Sequence, residues 1–236
     1  MRVEGLRFAY DPERTVLAGL DLEVAGGEIC ALLGINGTGK TTTFRLLAGA
    51  LKPDAGRIEV AGFSVAGELD EVKRRSGYVP DTPLLYPQLS AAENLNLFGL
   101  LWGVASDRIG PRAEALLKEV ALWDVRDQWV RSYSHGMRQK LSLCAALLHE
   151  PQVLLMDEPF TGLDVAGVLW ARAILRGAAA AGRCVLFTSH TPEVVDVLAD
   201  RVALLDGGRI VEVRTARQLA ETGGALALLE RRMRIA

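Results

Sequence analysis

The chain has 236 residues, half of them hydrophobic, so it can bury a sizeable core as one large domain or two small ones. Its 27 Lys and Arg balance 29 Asp and Glu, and a formal net charge of -2 gives no reason to expect a nucleic-acid partner. Cys30, Cys144 and Cys184 each sit alone in an apolar segment, without pairing or metal-ligand spacing, and read as buried small hydrophobes in a reducing compartment.

Taken in order, residues 2–10 read as a strand ending in Tyr10, Asp11 to Arg14 as a turn, and Val16 to Ala25 as a second strand. Gly26-Gly27 turns the chain into Glu28–Leu33, a short apolar run that suits a buried strand. Gly34 to Thr42 then fits G-x-x-x-x-G-K-[ST], with Gly34, Gly39, Lys40 and Thr41 at the fixed positions. Glycines let such a loop turn consecutive N–H groups inward on a phosphate chain, and the helix that follows adds the positive end of its dipole. Lys40 would reach the β- and γ-phosphates, and the Thr41 hydroxyl would take a Mg²⁺ position. Asn36, Gly37, Thr38 and Thr42 complete the cradle.

The helix after the loop runs to Gly49, Pro53 to Gly56 is a turn, and Arg57–Val60 alternates like a half-buried strand. Leu69–Arg75 reads as a short helix and Gly77–Val79 as a strand leading to Asp81 and a loop with Pro80, Pro83 and Pro87. Ser90 and Glu93 form a capping box that opens a helix to about Gly103. Asp107–Ala121 is a second helix with Pro111 placed in its first turn, and Ser134 caps a third from Gly136 to His149. Residues 82–149 thus read as an inserted helical subdomain.

Beyond it, Val153–Met156 is an apolar strand ending at Asp157-Glu158, Ala166–Ala180 a helix, and Cys184–Thr188 a strand leading to His190. Pro192–Leu198 is a short helix. Val202–Leu205 and Arg209–Val213 are strands joined by the hairpin turn Asp206-Gly207-Gly208, and 215–236 is a helical tail. Strands alternating with helices predict an α/β fold with a mostly parallel sheet. No apolar stretch is long enough to span a bilayer, and the charged opening lacks a signal peptide, so a soluble, cytosolic chain is expected.

An acidic pair at the end of a buried strand lies where an open α/β sheet binds ligands. Asp157 would hold Mg²⁺, and Glu158 would accept a proton from an attacking water. His190, expected at the same sheet end, is placed to meet a γ-phosphate. Ser134, with Gly136 behind it, makes a second helix N-terminus suited to an anion.

These motifs together resemble the nucleotide-binding subunit of an ABC transporter over essentially the whole length. The resemblance implies a P-loop core of 1–81 and 150–213, including an N-terminal antiparallel β subdomain, with the helical insertion at 82–149 and a tail from 214. It implies an ATPase with the family's adenine-stacking aromatic at Tyr10, the signature motif at Tyr133–Met137, the D-loop at Thr161–Asp164 and the switch histidine at His190. In that family two subunits pack head to tail, so Ser134 and Gly136 would reach the ATP held by the other subunit. The signature carries His135 and Met137 where the family often has Gly and Gln. Asp81 stands at the Q-loop glutamine and would touch Mg²⁺ through water. The motifs are similar to bacterial exporter subunits whose membrane protein is a separate chain. Such a chain would lie on the inner face of the cell membrane and receive its partner at Leu84, Leu85, Tyr86 and Leu97. The alternative is a soluble ABC ATPase of the cluster-assembly type.

Overall fold

The computed structural model describes residues 1–163 and 165–233, so Asp164 of the expected D-loop and the last three tail residues lie outside the described residues. Two sheets form. Strands β1 (Arg2–Ala9), β2 (Thr15–Glu23), β4 (Ala55–Val60) and β5 (Phe63–Ser64) make an antiparallel sheet in the order β2-β1-β4-β5. Strands β3 (Ile29–Leu33), β6 (Ser76–Val79), β7 (Val153–Met156), β8 (Cys184–Phe187), β9 (Arg201–Asp206) and β10 (Arg209–Thr215) make the second, ordered β10-β9-β3-β8-β7-β6. All its neighbours are parallel except β10, which closes on β9 as a hairpin.

Parity along the central strands explains why they are apolar throughout. Ile29, Ala31, Leu33, Leu154, Met156, Val185, Phe187, Val202 and Leu204 face one core. Cys30, Leu32, Val153, Leu155, Cys184, Leu186, Ala203 and Leu205 face the other. A parallel sheet covered on both faces needs apolar residues at both parities. The first core also takes in Leu95, Ile109, Leu116, Leu117 and Leu143 from the helical segment, so that segment shares its apolar interior with the sheet. The second core is filled by β1, β2 and Phe44, Leu46 and Leu47 of the helix after the phosphate loop.

The helices are α1 (Lys40–Leu47), α2 (Leu69–Arg75), α3 (Ala91–Leu101), α4 (Ser106–Glu119), α5 (His135–Leu147), α6 (Val165–Ala180), α7 (Pro192–Leu198), α8 (Ala216–Glu221) and α9 (Gly224–Met233). The capping box at Ser90 forms: its hydroxyl accepts from Glu93 N at 3.2 Å, and its own N–H donates to the Glu93 carboxylate at 2.7 Å. Pro111 is not in the first turn of α4. That helix begins at Ser106, which leaves Pro111 inside it, and the carbonyl that loses its N–H partner belongs to the exposed residue Asp107. Ala55 and Gly56, expected in a turn, already belong to β4, where Ala55 pairs with Arg7 of β1 and Gly56 falls at an irregularity in the register. The tail is two helices, broken at Gly223 and Gly224, both of which adopt positive φ. All three cysteines are free and buried, as expected.

Candidate active site

Because β3, β6, β7, β8 and β9 are parallel, the segments leaving their carboxyl ends gather at one edge of the sheet. They enclose a cleft of about 710 Å³ lined by the phosphate loop, Asp81, Asp157, Glu158 and His190. Asn36 to Thr42 and Tyr10 all border it. Gly34 does not line the cleft but shapes it. A Cβ there would lie 2.6 Å from the Leu205 carbonyl and 2.7 Å from the Thr38 hydroxyl, so no side chain fits. Gly39 enters α1 at φ +105°, a conformation that favours glycine.

Lys40 is buried, and its Nζ donates to the carbonyls of Gly34 at 2.8 Å and Ile35 at 3.2 Å. Burial pushes its ammonium below the ordinary lysine range, while Glu158 and Asp157 pull it back up. The cationic head is therefore held among neutral oxygens that an anionic ligand would readily replace.

Asp157 and Glu158 are 1 % and 5 % exposed. The Thr188 hydroxyl donates to Asp157 Oδ1 at 2.9 Å, leaving Oδ2 buried without a partner. Glu158 adopts φ +52°, a left-handed backbone unusual outside glycine, and its N–H donates to the Thr188 hydroxyl at 2.9 Å. Its Oε2 accepts the His190 N–H at 2.8 Å. Its Oε1 lies 3.3 Å from His190 Nε2 without hydrogen-bond alignment, so this buried oxygen retains free acceptor capacity. Burial raises the Glu158 carboxyl above its ordinary value, opposed mainly by the His190 contacts and Lys40.

Tyr10 lies one residue beyond β1 and is half exposed. Its hydroxyl is 3.2 Å from the Thr42 hydroxyl, and its ring packs edge-on against Phe8 at 5.0 Å. Ser134 and Gly136 do not line the cleft. Ser134 is the exposed N-cap of α5, and its hydroxyl accepts from Met137 N at 3.2 Å. A Cβ on Gly136 would lie 2.9 Å from the Gly162 carbonyl, so the start of α5 is pressed against the turn that follows Glu158.

The cleft also contains residues that were not expected there: Arg14, Thr15, Val16, Gly207 and Gly208. The hairpin between β9 and β10 reaches β2, where Gly208 O accepts from Ala18 N at 2.9 Å. The Gly-Gly turn is visible in the sequence, but its contact with β2 is not. Thr188 was likewise read only as the end of a strand.

Residues 17–161, more than half of the chain, match the profile of the ABC transporter family. The daunorubicin resistance ATP-binding protein DrrA3 of Streptomyces coeruleorubidus is 43 % identical over 94 % of this chain and 70 % of its own length. The Nod factor export ATP-binding protein I of Ralstonia nicotianae is 40 % identical over 89 % of this chain and 65 % of its own. Among solved structures, an ATP-binding subunit of an ABC transporter superposes with a TM-score of 0.88 at 29 % identity, covering 98 % of both chains. Glycine-rich cradle, acidic strand end, histidine and whole-chain likeness agree: the chain belongs to the ABC transporter family, as an ATP-binding subunit.

Proposed function

We propose that the chain hydrolyses ATP to drive an exporter whose membrane-spanning part is a separate chain. The observation that carries this reading is the meeting of a lysine-bearing anion cradle with a buried carboxylate that keeps one acceptor oxygen free. In this reading Lys40 exchanges its two carbonyl partners for phosphate oxygens, and the α1 N-terminus adds its N–H groups. Glu158, one oxygen held by the His190 N–H, uses the other to take a proton from water. His190, on the cleft wall, donates to the phosphate. The half-exposed Tyr10 ring offers a face to the adenine.

The site's chemistry also fits Mg²⁺. Asp157 Oδ2 is buried and lacks a partner, and Thr41, which carries a hydroxyl, lines the cleft; these are the hard oxygens this ion prefers. Thr41 and Asp157, with Asp81 through water, would hold the ion, which would supply charge neutralisation at the phosphates.

Ser134, exposed, and Gly136, half-buried, at the start of α5 are assigned to the ATP of a second copy or related subunit. The Ser134 hydroxyl already accepts one N–H and has its proton left to donate. For the membrane partner, an apolar groove of about 290 Å³ lies beside Leu84, Leu85, Phe98 and Trp102. Leu84 is 72 % exposed, whereas Leu97 is half-buried and less available. No helix among the described residues is long and apolar enough to cross a membrane; a peripheral position on the inner face follows, in this reading, from the likeness to ATP-binding subunits of transporters. Export is the reading favoured by the likeness to the daunorubicin resistance and Nod factor export proteins.

The test is Glu158→Gln examined by light scattering with Mg-ATP. Turnover should vanish and an ATP-bound dimer should persist; retained turnover refutes the assigned role, and a monomer refutes the shared site. Ser134→Arg should abolish dimerisation while monomer affinity for ATP is unchanged.

A further inference from the structure

Both carboxylates of the site are held by one three-residue segment at the end of β8. The Thr188 hydroxyl is fully buried and uses its proton and a lone pair in opposite directions: it donates to Asp157 Oδ1 at 2.9 Å and accepts from Glu158 N at 2.9 Å. Two residues on, the His190 N–H holds Glu158 Oε2. Thr188 is itself fixed by the sheet, since its N–H donates to Met156 O at 3.0 Å.

We propose that Thr188 is a positioning residue for hydrolysis, setting Asp157 and Glu158 in register with each other. The proposal rests on the ATPase reading above. Its geometry has two consequences. By engaging Asp157 Oδ1, the hydroxyl determines that Oδ2 is the oxygen left for a cation. By anchoring Glu158 N, it holds that residue at φ +52°, the backbone angle that sends its carboxylate back toward His190. A hydroxyl bound only as donor would orient Asp157 alone, and one bound only as acceptor would orient Glu158 alone. Thr188 does both, and its methyl group packs a site that valine would fill with the same shape and no hydrogen bonds. Groups that orient a metal ligand or an acid–base residue from behind act through geometry rather than contact with substrate.

The experiment compares Thr188→Val, Thr188→Ser and Glu158→Gln in the full chain. Two readouts are steady-state ATP hydrolysis and Mn²⁺ binding in the presence of ADP, followed by electron paramagnetic resonance. Thr188→Val should lower kcat by about tenfold to a hundredfold, the usual cost of losing such a partner, with KM for ATP unchanged and Mn²⁺ bound more weakly. Thr188→Ser, which keeps the hydroxyl, should restore both. A Thr188→Val chain matching the unmutated protein in either kcat or Mn²⁺ affinity overturns the proposal, as does a Thr188→Ser chain as impaired as Thr188→Val. If Thr188→Val does not fold, Thr188→Ala takes its place with the same expectations. Two controls separate the readings: an unmutated chain that does not hydrolyse ATP overturns the ATPase reading, a Glu158→Gln chain that still turns over overturns the role of Glu158, and a dead Glu158→Gln beside an unaltered Thr188→Val removes Thr188 alone.

Discussion

Adjacent glycines in the turn between β9 and β10 should respond very differently to the same methyl group. Gly207 has φ +53° and Gly208 φ +71°, so alanine at either costs about 1 kcal/mol for the left-handed backbone. There the similarity ends. A Cβ on Gly207 meets nothing within 4 Å, whereas one on Gly208 would lie 2.5 Å from Val16 O, 2.8 Å from Ala18 N and 2.9 Å from Leu17 Cα. These are backbone atoms and cannot rotate away. Gly208→Ala therefore forces the hairpin off β2, adding about 1–3 kcal/mol for overpacking. It also breaks the bond from Ala18 N to Gly208 O, worth about 1 kcal/mol. The totals are about 1 kcal/mol for Gly207→Ala and about 3–5 kcal/mol for Gly208→Ala. At 2–4 °C per kcal/mol for a chain of this size, the expected losses in Tm are about 2–4 °C and about 6–20 °C. Differential scanning calorimetry of the two variants reads this directly. Equal shifts would refute the close approach of the hairpin to β2. Because Val16 and Gly208 both line the cleft, Gly208→Ala should weaken ATP binding as well.

Three further outcomes are expected. Ser90→Ala removes the hydroxyl of the capping box and should lower stability by about 1 kcal/mol, a Tm loss of about 2–4 °C by calorimetry. The thiols should not react with a disulfide reagent at pH 8 in the folded chain, because burial pushes Cys30 to about 12, Cys184 to about 11 and Cys144 upward as well. Denaturant should release all three, and rapid labelling of the native chain would contradict the packing. Burial also raises the Glu158 carboxyl above its ordinary 4.5, and its proposed role requires the charged form. Turnover should therefore fall on acidification at a pH above 4.5, and an acid limb centred on or below that value would count against Glu158 as the base.

How much of this was visible in the sequence depended on whether a signal was local. Lys40, Asp157 and His190 each follow a short apolar run, and such runs become parallel strands whose ends converge without further instruction. The capping box at Ser90 is likewise a four-residue pattern with a local cause. Pro111 was misplaced because α4 begins without a side-chain cap, so no nearby residue marks its start. β5 has only two residues and pairs with β4 alone, which is too short for periodicity to register.

The unexpected parts of the site are those made by distant chain segments. Ala18 and Gly208 are 190 positions apart, and Asp157 and Thr188 are 31 apart. Nothing in a window around Thr188 distinguishes its hydroxyl from that of any threonine ending a buried strand. Only the pairing of β7 with β8, which sets Met156 beside Phe187, brings the next residues of each strand together. Register thus does chemical work here. Asp157 and Thr188 each stand one residue past that pair, so their side chains leave the same edge of the sheet at neighbouring positions. A one-residue slip between β7 and β8 would turn the threonine to the opposite face and leave both carboxylates unanchored. The unbroken apolar runs of these strands do not specify that register by alternation. The Thr188 hydroxyl, satisfied only when both strands end together, supplies a reason for the register to be kept.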